Sequence, residues 1–208
     1  AIGRADPLEQ TARTSQMVRR YAKESSEPEP EAVNSRSHLK LLDIGCGNGF
    51  FLEAAKNLGI NNVYGVEPGI ESVNKAPKAL QKRIKIAMFK PGLYPKNSFD
   101  IVTCFHTLDH IVDPKAFLKE VRKVLKLRGK ALFVVHNTDG LSVKLFGEKS
   151  AIFDIEHIYL FNKSTLARIF QQQGFEVKEI IDLQNRYPLQ YWLRMVPMPM
   201  KNLLHKNT

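Results

Sequence analysis

Cysteine is scarce in this chain: two residues, Cys46 and Cys104, among 208. Both lie in apolar, strand-like runs, so they read as buried thiols and not as a disulfide or a metal pair. Long hydrophobic runs are missing too. None approaches the roughly 20 residues that a membrane-spanning helix needs, and residues 1–37 lack the apolar core of a secretory signal. The resulting expectation is a soluble, cytoplasmic protein. Acidic side chains are in deficit, 21 against 31 basic ones, for a net charge of +10. The surplus is spread along the chain, and its densest stretch, Lys115 to Lys130, is patterned like the solvated face of an amphipathic helix. Nucleic-acid binders usually gather their cations on one face, so nucleic acid is not an expected partner. Attraction to an anionic small molecule or a membrane surface is allowed. Nothing here sets an oligomeric state.

The organisation changes along the chain. Residues 1–37 are polar, with a candidate helix from Leu8 to Lys23 and a linker from Ser25 to Ser37 (SSEPEPEAVNSRS). Residues 38–186 alternate strand and helix patterns. Leu39–Ile44, Asn62–Val66, Lys85–Phe89, Phe99–His106, Lys130–Val135 and Phe175–Leu183 read as six strands. Between them, Phe50–Leu58 carries apolar residues at helical spacing and stops at Gly59. Glu71–Leu80 reads as a helix interrupted at Pro77. Asp113-Pro114 reads as an N-cap followed by the first helical residue, and that helix runs to Gly129. A last helix starts at Asn162 or Ser164 and stops at Gly174. Strands alternating with helices imply an α/β fold, with a doubly wound, mostly parallel sheet and helices on both faces. The ligand site of such a sheet lies at the carboxyl ends of its strands. Residues 187–208 form a separate C-terminal segment. Its aromatics Tyr187, Tyr191 and Trp192, with Arg186 and Arg194 nearby, could wall a pocket, touch a membrane surface or pack on the core.

The carboxyl end of the first strand reads Leu42-Asp43-Ile44-Gly45-Cys46-Gly47-Asn48-Gly49-Phe50. Alternate glycines let the backbone turn sharply and approach a ligand with no Cβ in the way. A dinucleotide site favours G-x-G-x-x-G, but here Phe50 fills the last glycine's place, which disfavours a dehydrogenase. Asp43, two residues before the first glycine, suits a cationic ligand. Glu67, at the end of the second strand, is placed to accept hydrogen bonds from both hydroxyls of a ribose.

LDIGCGNGFFLEAAK followed by VYGVEPG resembles the first two motifs of class I S-adenosylmethionine-dependent methyltransferases. SFDIVTCFHTLDHIVDP resembles their fourth-strand motif, and VRKVLKLRGKALFVVHN the helix and fifth strand after it. EHIYLFNKSTLARIFQQQGFEV is similar to the tail of small-molecule methyltransferases, including those of polysaccharide and ubiquinone pathways. The likeness covers residues 39 to 183 or so and implies a Rossmann-like fold with S-adenosyl-L-methionine as cofactor. It implies that Asp43, Gly45 and Gly47, their neighbour Cys46, and Glu67 with Pro68 bind that cofactor, with Phe105 and His106 at the methyl-donor end. Three departures stand out. IKIAMFKPGLYP lacks the usual acid of the third strand. Leu127-Arg128-Gly129 stands where Pro-Gly-Gly is common. No seventh strand is visible after Tyr187.

Methyl transfer to oxygen or nitrogen often needs a base. His106 ends the fourth strand, His136 ends the fifth, and His157 precedes the last helix, so these three are the catalytic candidates. His106, Asp109 and His110 also share the i, i+3, i+4 spacing that would align three metal ligands on one helical face. The reading adopted is that Asp109 caps a helix and His110 packs against a loop, so no metal set is expected. Together these features imply a methyltransferase acting on a small-molecule acceptor, with O-methylation of a sugar or glycan precursor as first choice. A nucleic-acid methyltransferase and a catalytically inactive nucleoside-binding module are the alternatives.

Overall fold

The computed structural model describes residues 36–150 and 152–183. The candidate N-terminal helix and linker up to residue 35 and the C-terminal segment from residue 184 lie outside the described residues. Five strands form one all-parallel sheet in the order β3-β2-β1-β4-β5. They are β1 (Lys40–Ile44), β2 (Asn62–Glu67), β3 (Ile84–Ile86), β4 (Phe99–Phe105) and β5 (Leu125–Val134).

Neighbouring residues of β1 are buried on opposite sides. Leu41 joins a core with Phe51, Leu52 and Ala55 of α1 (Phe50–Asn57), Val73 of α2 (Ile70–Asn74) and Leu80 of α3 (Lys78–Gln81). Leu42 joins a second core with Phe117, Leu118 and Val121 of α4 (Pro114–Val124) and Phe170 of α6 (Lys163–Gln172). A strand covered on both faces carries apolar residues at consecutive positions, as β1 does at Leu41 and Leu42. Pro77 splits the predicted Glu71–Leu80 helix into α2 and α3 and stands at the N-cap of α3. Asp113 caps α4 by accepting from the Ala116 amide at 3.0 Å, and Pro114 follows at N1. Asn162 caps α6 in a reciprocal box with Thr165. Between β5 and α6 lies a short helix, α5 (Leu141–Phe146). No helix among the described residues is long and apolar enough to cross a membrane.

Three sequence expectations are corrected. The third strand is Ile84–Ile86, not Lys85–Phe89. Phe89 leaves the edge of the sheet to stack edge-on against Phe117 of α4, with ring centroids 5.4 Å apart. Gly129 does not stop the fourth helix: α4 ends at Val124 and β5 starts at once. The β4–β5 register then slips, from Phe99↔Leu125 to Ile101↔Lys130. In this bulge Arg128 takes φ 63, the left-handed conformation that a glycine would adopt more cheaply. Finally, Phe175–Leu183 forms no strand. Phe175 packs on Phe170, and a cavity of about 1290 Å³ opens between this segment and β5. An alternating pattern reports a half-buried segment, whereas a ladder also needs a neighbour within hydrogen-bonding distance.

The registers bring the strand ends level. Ile44 lies opposite Val66 and Cys104, Glu67 opposite Ile86, and Phe105 opposite Val134. The glycine turn, Glu67, His106 and His136 therefore share one carboxyl edge.

Candidate functional site

The turn after β1 is left-handed at alternate residues, with φ 76 at Gly45, 53 at Gly47 and 74 at Gly49. Gly45 is the most constrained. A Cβ there would stand 2.2 Å from Thr107 Oγ1, so the turn packs directly on the chain leaving β4. Gly45→Ala should therefore destabilise the fold by roughly 2–4 kcal/mol through combined strain and overlap. A thermal melt should show Tm lower by roughly 5–15 °C; an unchanged Tm would contradict the packing described.

The turn's amides are largely used within the protein. Gly45 and Cys46 donate to the Val66 carbonyl at 2.9 and 3.3 Å. Gly47 donates to Glu67 Oε2 at 3.0 Å, and the Gly69 amide, beyond the exposed Pro68, donates to Oε1 at 2.8 Å. Glu67 is thus held from both sides while staying half-exposed at the mouth of the turn. Each of its oxygens keeps a second lone pair for a ligand hydroxyl. Asp43 lies deeper and is buried. Thr103 Oγ1, on the neighbouring strand, donates to it at 2.7 Å. Burial raises its carboxyl to about 7, against the opposing effect of the Thr103 bond. Cys46 is buried beside the turn, and burial pushes its thiol well above the ordinary range. That thiol is a packing group, not a nucleophile. Phe105 is half-buried and meets Phe51 edge-on at 4.8 Å.

Beyond β4 the structure gathers four histidines round one buried acid. His106 sits at the strand end with φ 48, its amide donating to the Val134 carbonyl at 2.8 Å. Burial, and then the adjacent His136, lower its imidazole to about 4, so it stands neutral at physiological pH. Asp109 is in a 3₁₀ turn (Leu108–His110) and is fully buried. It does not cap a helix, contrary to the sequence reading. Its Oδ2 accepts instead from the His136 amide at 3.1 Å and from His136 Nδ1 at 2.6 Å. The Asp109 carbonyl accepts from the Ile158 and Tyr159 amides at 2.8 and 3.1 Å, which fastens the loop carrying His157 to this turn. His157 Nδ1 faces the Ile152 carbonyl at 2.8 Å, and His110 Nδ1 faces the Glu156 carbonyl at 2.7 Å. His110 therefore packs on the loop, as its sequence position implied. The cavity beside β5 reaches His106 and His136 at its rim but touches none of Asp43, Gly47 and Glu67. The turn and that cavity are separate places.

The methyltransferase domain family matches residues 11–180 of the chain. The chain belongs to this family. Among curated relatives, the ubiquinone biosynthesis O-methyltransferase of Colwellia psychrerythraea is 30% identical over 116 residues, covering 51% of this chain and 47% of that protein. The human mitochondrial ubiquinone biosynthesis O-methyltransferase is 26% identical over 170 residues, covering 74% and 46%. The chain thus spans about half the length of these curated relatives. Among solved structures, an S-adenosylmethionine-dependent methyltransferase from Archaeoglobus fulgidus superposes with a TM-score of 0.59 at 18% identity, covering 95% of this chain and 85% of its own. This methyltransferase domain therefore shares its fold with that enzyme, and its glycine turn and Glu67 lie at the sheet's carboxyl edge, where ligands of doubly wound folds bind.

Proposed function

We propose that this methyltransferase domain transfers the methyl group of S-adenosyl-L-methionine to a hydroxyl oxygen of a small-molecule acceptor. The observation that carries this reading is the Glu67 carboxylate, fixed by the Gly47 and Gly69 amides at the mouth of a glycine turn. A two-oxygen acceptor held in this way suits a ribose. The half-exposed Glu67 gives the mouth of the turn a negative character that suits a cationic donor, while the buried Asp43 behind it, raised to about 7, is only partly ionised at neutral pH. Gly45, Cys46, Gly47 and Pro68 shape the turn and its partner loop, and Phe105 and His106 form the wall toward the reacting methyl.

S-adenosylmethionine supplies a methyl group already activated on a sulfonium. The acceptor oxygen displaces it in line: a C–O bond forms, the C–S bond breaks, and the hydroxyl proton leaves. His136 is the residue best set to take that proton. Asp109 accepts from its Nδ1–H, which leaves the lone pair of Nε2 to act as base. His106, held neutral, orients the acceptor, and His157 lines its far side. The relatives' printed names favour a ring hydroxyl of the kind found in quinone precursors over the sugar hydroxyl that the tail resemblance suggested.

Incubation of the purified chain with methyl-labelled donor and a panel of phenolic and sugar hydroxyl compounds tests this reading. Labelled ether and S-adenosylhomocysteine should form in equal amounts with at least one class. A folded protein that binds NAD and neither S-adenosylmethionine nor its demethylated product would refute it.

A further inference from the structure

Asp43 is a buried acid with few partners. Register fixes its neighbours in the sheet: Gly65 of β2 on one flank and Thr103 of β4 on the other. Gly65 has no side chain to offer, so any lateral hydrogen bond must come from Thr103. Thr103 is fully buried, and its Oγ1 lies 2.7 Å from Asp43 Oδ1 but 3.4 Å from the Leu42 carbonyl. A hydroxyl has one proton to give, and the shorter contact takes it. Nothing else nearby favours a charge on Asp43. Among the described residues no cation forms an ion pair with it. Glu67, at the end of β2, acts on it with the same sign. The thiols of Cys46 in the turn and Cys104 on β4 are kept neutral by burial. On the face that Asp43 shares with Leu41, α1 contributes apolar Phe51, Leu52 and Ala55. A carboxylate in such surroundings tends to revert to the neutral acid. One hydroxyl opposes that tendency.

We propose that Thr103 is a positioning residue of the donor site, whose hydroxyl holds Asp43 as the anion that meets the cationic end of S-adenosylmethionine. This inference deepens the methyl-transfer reading and rests on it. Thr103 touches the acid and not the donor, so it acts through Asp43 alone. A cation bound beside an acid favours the ionised form, and by linkage the ionised form binds the cation more tightly. Donor affinity is therefore full when Asp43 is ionised and falls as pH drops through about 7.

The test is calorimetric titration of S-adenosylmethionine into the whole chain and its variants at about pH 6 and about pH 8. Thr103→Val keeps the shape and removes the proton donor. An upward shift of about one pH unit in the Asp43 transition makes its binding about tenfold weaker than wild type at the lower pH, but only about twofold weaker at the higher. Thr103→Ser should restore the wild-type profile. Asp43→Asn should lose the part of the pH dependence that belongs to Asp43, while any step from the histidines stays. In that background Thr103→Val should change affinity by less than about twofold. Circular dichroism checks each fold, and if the valine variant does not fold, Thr103→Ala carries the same expectation. Equal weakening at both pH values would mean a merely structural role and overturn the proposal. So would a serine variant that behaves like valine, or a valine effect that persists beside Asp43→Asn. Donor binding with a profile indifferent to Thr103 rejects this role alone, whereas a folded wild type that binds no S-adenosylmethionine at either pH rejects the methyl-transfer reading itself.

Discussion

Replacing Glu67 with alanine should weaken binding of S-adenosylhomocysteine by roughly 100-fold or more, about 2.8 kcal/mol. Two effects add. On the proposed reading the carboxylate's hydrogen bonds to a ribose would be charge-assisted, each worth about 1.5–3 kcal/mol. The Gly47 and Gly69 amides also lose their shared acceptor, so the turn and the loop after β2 are no longer tied together. Glu67→Gln separates the two. It keeps one acceptor oxygen but turns an NH₂ group toward a backbone N–H, so it should fall between wild type and alanine. Titration calorimetry gives the affinities, and circular dichroism checks the fold. An alanine variant that binds within threefold of wild type would remove Glu67 from the cofactor site.

The second large effect concerns turnover. His136→Gln should lower kcat by roughly 10²–10⁴, the usual range for loss of a positioned acid–base group. Donor affinity should move by less than about twofold, because the ring lies beyond β5 and, among the described residues, its hydrogen bonds go to Asp109 and not to the turn or Glu67. Asp109→Asn should reproduce much of the loss. An amide in place of the carboxylate cannot accept both the His136 amide and its Nδ1–H with the same strength, so the ring's tautomer and orientation are released. Single-turnover kinetics with labelled donor measure the chemical step directly. If kcat is kept while donor affinity collapses, His136 belongs to cofactor binding instead.

The parts of the molecule that could be read from the sequence are those whose cause is local. Asp113-Pro114 announces the start of α4 because cap and first residue are adjacent. The spacing of Gly45, Gly47 and Gly49 announces the turn because each residue supplies its own backbone freedom. Glu67 was legible because a strand end is a topological position, and such positions recur in parallel sheets. The partner of Asp109 was not legible in this way. His136 lies 27 residues further on, and only the alignment of β4 and β5 brings the two together. The pattern favoured a cap for Asp109, since a carboxylate near a helix start usually is one. Burial overrode that choice. The same lesson holds for Phe89 and Phe175, which read as strand residues but pack on Phe117 and Phe170 instead.

The carbonyl of Asp109 receives the amides of Ile158 and Tyr159, while its side chain grips His136. One residue thereby joins three stretches of chain: the turn after β4, the end of β5 and the approach to α6. An outward swing of the approach to α6, for instance to admit a bulky acceptor, breaks the Ile158 and Tyr159 amide bonds to the Asp109 carbonyl and so loosens the turn that carries the partner of His136. On the proposed mechanism, admitting the acceptor and holding the base in place draw on the same residue.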